Sequence, residues 1–158
     1  MSVDYADLLI ASTCEVFETM SFLEVTPLSP VTQTGEIVGV SVSAMISLAG
    51  EISGVLFIHC ADDFARECAE QISGEGEAVS PAQLADTVGE LANMVAGSLK
   101  RKMSALIDLF ELSLPLVIAG HEHRIVYNGA KENFPRILIP FAVDNEIRFY
   151  VELLHHKR

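Results

Sequence analysis

The chain has 158 residues, of which 50% are hydrophobic and 20% charged, and it carries a formal net charge of −12. That length fits one domain over residues 1–158 with a sizeable core, and the composition excludes a disordered chain. The acidic balance excludes nucleic acid as a partner, because phosphate contacts need clustered cations and only Lys100, Arg101 and Lys102 run together.

No apolar run approaches the roughly 18–20 uncharged residues that span a bilayer. The start, MSVDYADLLIAS, is acidic where a signal peptide is basic, so a cytoplasmic protein without a membrane partner is expected. Cys14, Cys60 and Cys68 lack metal or redox spacing and read as reduced core thiols.

Residues 4–20 place Leu9, Thr13, Phe17 and Met20 at helical spacing, with Val16 alongside, and so predict an amphipathic helix. Pro27 and Pro30 then impose an extended or turn segment. In EIVGVSVSAMISLAG, the residues Val38, Val40, Val42, Ala44, Ile46 and Leu48 alternate with small or polar ones, the pattern of a half-buried strand. Ala49, Gly50 and Glu51 turn the chain into a second strand, ISGVLFIHC, to complete a hairpin.

A short helix capped by Asp62 or Asp63 is expected through about Ile72, with Phe64, Cys68 and Ile72 on one face and Gly74 as its stop. After the polar loop GEGEAV, Ser80-Pro81 opens a long helix to about Met103, serine as N-cap and proline at the first helical position. LPLVIAG, RIVYNG, RILIPFAV and EIRFYVELL read as strands, the last two joined by a turn at Val143-Asp144-Asn145-Glu146. The order predicts an α+β domain with helices packed on a mainly antiparallel sheet.

The long helix carries DTVGELANMVAG. At about 100° per residue from Glu90, the residues Leu84, Val88, Leu91, Val95 and Leu99 form a core face. Asp86, Asn93 and Gly97 fall on the opposite side with Glu90. Asn93 follows Glu90 by about 4.5 Å along the axis, so the two are surface neighbours. Gly97 leaves a bare patch beside them where a partner could approach closely. An amide does not titrate, but it accepts and donates hydrogen bonds and so can orient a water. Phosphoryl transfer uses such a part, and a nearby carboxylate can pair with a partner's lysine or arginine. From spacing alone the face is either a docking surface or merely a solvated one.

Asp86-x-x-x-Glu90-x-x-Asn93 on this helix resembles the signature of the CheC/CheX/FliY phosphatases, bacterial chemotaxis proteins that dephosphorylate the response regulator CheY. ETMSFLEV, ISLAGEISGVLFI, DDFARECAEQISG and SLPLVIAG stand in matching order around it, so the resemblance covers nearly the whole chain. It implies that Asn93 positions water for attack on a phospho-aspartate and that Glu90 engages a lysine of a phosphorylated CheY-like regulator. Asp86 then has a supporting, partner-facing role beside the patch left bare by Gly97. The reaction's Mg²⁺ would belong to the regulator, leaving this chain with no cofactor or metal of its own. The first helix offers Glu15-x-x-Glu18 without a matching asparagine, which implies one active site and the CheX-like branch, known for homodimers built through sheet contacts. A non-catalytic receiver-binding adaptor, or a flagellar-switch-type interaction protein, is the alternative.

His121-Glu122-His123 and His155-His156 read as surface or turn histidines, since a metal site needs three or four convergent ligands. Met20, Met45, Met94 and Met103 read as core or interface filler.

Overall fold

The computed structural model describes residues 3–20, 23–31, 36–73, 78–105, 110–126 and 135–157. The chain forms α1 (Tyr5–Met20), β1 (Thr26–Pro27), β2 (Glu36–Gly50), β3 (Ile52–Cys60), α2 (Asp62–Ser73) and α3 (Pro81–Met103). It continues as β4 (Phe110–Leu112), β5 (Leu116–Val126), β6 (Arg136–Val143) and β7 (Glu146–Lys157). The expected stop at Gly74, the side chain of Val38 and the end of RIVYNG lie outside the described residues.

Among the described residues the strands make one antiparallel sheet of seven, in the order β1-β6-β7-β3-β2-β4, with β5 also on β2. Helices cover one face. Val42, Ala44, Ile46 and Leu48 of β2 are buried there, against Leu84, Val88, Leu91, Val95 and Leu99 of α3. Each of those five helix residues is at most 3% exposed, which is the stripe the 3.6-residue period dictates. Phe149 stacks at 4.7 Å on Phe17, 5.0 Å on Phe64 and 4.9 Å on Phe141, joining α1 and α2 to the sheet. Among the described residues no helix is long and apolar enough to cross a membrane.

Local chemistry sets the ends. The Ser80 hydroxyl accepts from Gln83 N at 3.1 Å, and Ser80 N donates to Gln83 Oε1 at 2.8 Å. This reciprocal cap, with proline at the helix start, is worth about 1 kcal/mol and fixes where α3 begins. Asp144 and Asn145 take φ values of 52° and 67°, the left-handed pair that a two-residue β6–β7 turn requires. Gly54 lies so close to β7 that an added Cβ would sit 2.0 Å from the Leu154 carbonyl oxygen. Gly54→Ala is therefore expected to lower stability by about 1–3 kcal/mol. A urea midpoint equal to wild type would show that β3 and β7 can part there.

Several elements depart from the sequence reading. Ile72, expected on one face with Phe64 and Cys68, is 41% exposed while those two are buried. LPLVIAG and the start of RIVYNG are one strand, with His121-Glu122-His123 inside it; His121 is exposed, as a surface histidine was expected to be, and His123 is half-buried. The short strand β4, FEL, has no period to announce it. The pairing of β2 with β5 shifts register between Ile37 and Val42, where Gly39 adopts φ 77°.

That irregularity bends the ribbon. Ile37 and Val40 of β2 pack on Leu138 of β6, although β3 and β7 lie between those two strands in the sheet. Intervening strands separate them by about 14 Å at ordinary strand spacing, so the ribbon folds back over the face opposite the helices. Buried on that face is a chain of polar side chains spanning β2, β3, β7 and β6. His59 Nε2 meets Glu152 Oε1 at 3.0 Å, and Arg136 Nε donates to Glu152 Oε2. The Ser43 hydroxyl oxygen lies 2.7 Å from His59 Nδ1, within hydrogen-bond reach. The Ser43 oxygen lies 3.0 Å from His123 Nε2 on β5.

Candidate functional site

The face of α3 turned from the sheet carries the sequence-predicted residues together. Asp86, Glu90 and Asn93 are exposed and Gly97 is half-buried. The core stripe behind them fixes the rotation of the helix, and the Ser80 cap fixes its register, so this face is held from within the fold.

Glu90 stands on a ridge between two grooves. One is apolar, lined by Met20, Ile72, Leu91 and Met94. The other runs toward β5 beside Gly89, Pro115 and Val117. At Gly89 an added Cβ would meet Val117 Cγ2 at 3.1 Å, so the glycine lets α3 lie close on β5. Asn93 borders a third groove, lined also by Glu15 and Thr19 of α1 and by Gly97 and Arg101. These hollows are shallow, and an exposed amide beside an exposed carboxylate suits recognition of a protein surface more than capture of a small molecule.

Glu15 of α1, whose Glu15-x-x-Glu18 spacing lacks a partner asparagine, has another task. Its Oε2 accepts from Ser98 Oγ at 2.8 Å and Lys102 Nζ at 2.6 Å, both on α3. Hydrogen bonds from Lys102 and Ser98 hold this carboxyl below its ordinary range, so it stays ionised and ties the two helices. Its Oε1 faces Arg101 Nη2 at a looser 3.9 Å.

Arg101 is the site residue that the sequence reading passed over. It follows Glu90 by about three turns and returns to about 20° on the same projection, so a longer helical wheel would have found it. Ile72, read from the sequence only as sharing a face of α2 with Phe64 and Cys68, also lines the groove beside Glu90.

Other chemistry is limited. Among the described residues no group of three or more His, Cys, Asp or Glu is placed to hold a metal ion. Burial pushes the Cys60 thiol well up and the Cys68 thiol to about 12, so both stay protonated. His155 is half-buried with its ring 4.4 Å from that of Tyr5.

The family model for chemotaxis phosphatase CheX matches residues 42–142, from within β2 through all of α3 and into β6. The chain belongs to the CheX family. Solved structures agree with that assignment. A CheC-like superfamily protein from Shewanella sp. PV-4 is 28% identical with a TM-score of 0.83, covering 99% of each chain. Chemotaxis protein CheX from Desulfovibrio desulfuricans is 26% identical with a TM-score of 0.83, over 96% of this chain and 99% of that one. The CheX–CheY–BeF₃–Mg²⁺ complex from Borrelia burgdorferi has the same fold at 19% identity, TM-score 0.80, over 99% of this chain and 100% of that one. No match is found among curated proteins. In this CheX-family chain the α+β architecture, with helices on a mainly antiparallel sheet, is the one expected from the sequence.

Proposed function

We propose that this CheX-family chain hydrolyses the aspartyl phosphate of a CheY-like receiver domain, using one site on α3. The observation that carries this reading is the exposed pairing of Glu90 and Asn93 on a helix whose opposite face is core. Asn93 enters the receiver's phosphorylation site and its amide orients a water in line with the phosphorus. The water oxygen bonds to phosphorus while the bond from phosphorus to the aspartyl oxygen breaks. Its electron pair stays on the aspartyl carboxylate, and the water's proton leaves with phosphate or solvent. Mg²⁺ held by the receiver would supply charge neutralisation for the phosphoryl group. Glu90 pairs with a receiver lysine and sets the docking angle, and Asp86 and Gly97 complete the contact.

An aspartyl phosphate is labile, so about 100-fold acceleration needs only about 2.7 kcal/mol of transition-state stabilisation. A positioned water can supply that without a deep pocket.

The test is phosphate loss from purified phospho-receivers after removal of the phosphodonor. Acceleration of at least one receiver from the host supports the reading, and none sinks it. Tight binding without turnover would give the adaptor role instead. Glu90→Lys is expected to raise KM about tenfold or more, with kcat little changed. Titration of the receiver measures the same loss directly.

The chain also forms a homodimer in this reading, through the open edge of β5. That strand pairs only with β2 among the described residues and exposes Leu116 and Ile118 at 55% and 51%. Sedimentation at micromolar concentration showing only monomer would contradict it.

A further inference from the structure

The geometry points to Arg101 as the residue that contacts the phosphoryl oxygens of the docked receiver, an anion-binding group paired across Asn93 with the cation-binding Glu90. This inference rests on the phosphatase reading of α3.

The first observation is where the guanidinium lies. A Cβ built on Gly97 would be 3.7 Å from Arg101 Nη1, so the arginine side chain runs back along α3 and rests over Gly97. Long helical side chains lean toward the N-terminus, and here the missing side chain at 97 gives that lean a saddle to occupy. Gly97 is one turn from Asn93, so the guanidinium is brought to within about 6 Å of the amide along the helix axis. Both residues border the same groove with Thr19. Gly97 is thus a seat for the arginine as well as a bare patch.

The second observation is how loosely the arginine is held. Its side chain is 71% exposed, and its one ion pair among the described residues, to Glu15, is 3.9 Å long, beyond hydrogen-bond reach. Glu15 spends its close contacts on Ser98 and Lys102. Of the neighbouring cations, Lys102 is held by Glu15 at 2.6 Å, and Lys100 faces Glu111 on β4 at a looser 3.9 Å. Arg101 is therefore steered by Glu15 toward Gly97 while its planar donor fork stays open to an oxyanion.

The third is charge. A phosphorylated site meeting a chain of net charge −12, on a face led by Asp86 and Glu90, would be repelled without a local cation. Along α3 the order is acid, acid, amide, glycine, guanidinium. That order fits a partner presenting a lysine on one side of its phospho-aspartate and phosphoryl oxygens on the other. A guanidinium matches phosphate oxygens with two parallel hydrogen bonds, which a lysine cannot do. Arg101 forms no covalent bond; it holds the phosphoryl group against the water that Asn93 orients.

The test has a turnover arm and a binding arm. Arg101→Ala, Arg101→Lys and Glu15→Gln are compared with wild type on receivers phosphorylated and then freed of donor. Binding is measured to each receiver with and without beryllofluoride and Mg²⁺ as the phosphoryl mimic. Arg101→Ala is expected to lower kcat about tenfold or more. It should also lower affinity for the beryllofluoride-loaded receiver about tenfold, while affinity for the unloaded receiver holds. Arg101→Lys should recover part of both. Unchanged kcat and affinity overturn the inference, as does an equal fall for loaded and unloaded receivers. If Glu15→Gln reproduces Arg101→Ala in every readout, with the same fall in Tm, the arginine is only a tie between helices and the inference fails. If wild type dephosphorylates no receiver, the phosphatase reading fails by itself, and the loaded-versus-unloaded comparison still decides Arg101.

Discussion

Asn93→Ala is expected to return phosphate loss to the receiver's own rate, a fall of about 100-fold, while the complex still forms. The amide touches the reacting water alone in the proposed step, so its removal costs transition-state stabilisation and little docking energy. Nothing in the fold depends on it, since the side chain is exposed on the face away from the core. Stability should stay within about 0.5 kcal/mol of wild type. Asn93→Asp keeps the shape but adds a negative charge facing phosphate, and it too should be slow. Retention of half the activity by Asn93→Ala, or a parallel loss of receiver binding, would remove Asn93 from the role of water-positioning residue.

Glu152→Ala is expected to do the opposite, lowering stability by about 3–5 kcal/mol without a direct effect on the site. It would strip the buried Arg136 and His59 of the carboxylate between them, on a face where all three are at most 2% exposed. Out of a typical stability of about 5–15 kcal/mol, that is a large share. Burial alone would raise this carboxyl, but hydrogen bonds from His59 and Arg136 outweigh burial and hold it below its ordinary 4.5. A carboxyl depressed in the folded state contributes stability above its unfolded value and loses it as pH falls toward its folded one. Wild type should therefore weaken below about pH 4.5, and Glu152→Gln should flatten part of that slope. Urea titrations at several pH values measure both effects. A Glu152→Ala protein with a wild-type midpoint would show that water or a neighbour replaces the carboxylate.

These two residues also mark the limits of legibility. Asn93 could be placed from the sequence because α3 is long and capped and its apolar residues recur without interruption. Its outward direction then follows from geometry. The β6–β7 turn was as plain, since Asp144-Asn145 tolerates the left-handed backbone a tight hairpin needs. Glu152 and Arg136 were hidden for the converse reason. At period-two positions of a strand, charged side chains read as solvent-facing, and only the fold-back of β2 and β5 puts them inside. That fold-back begins at Gly39, where a single glycine gives no warning of a register shift. The strand β5 was cut at Gly120 because an edge strand with one open face loses its alternation. Arg101 looked like an ordinary cation in a last helical turn.

The outward stance of the four α3 residues has a further consequence. Asp86, Glu90, Asn93 and Arg101 are all exposed. Substitutions at such positions usually shift stability by less than about 0.5 kcal/mol. The face can therefore change its wording while the scaffold stays the same, one charge at a time, and a duplicate of this gene could move to a new receiver without first acquiring spare stability. In this fold, choosing a partner and keeping a shape are nearly separate inheritances.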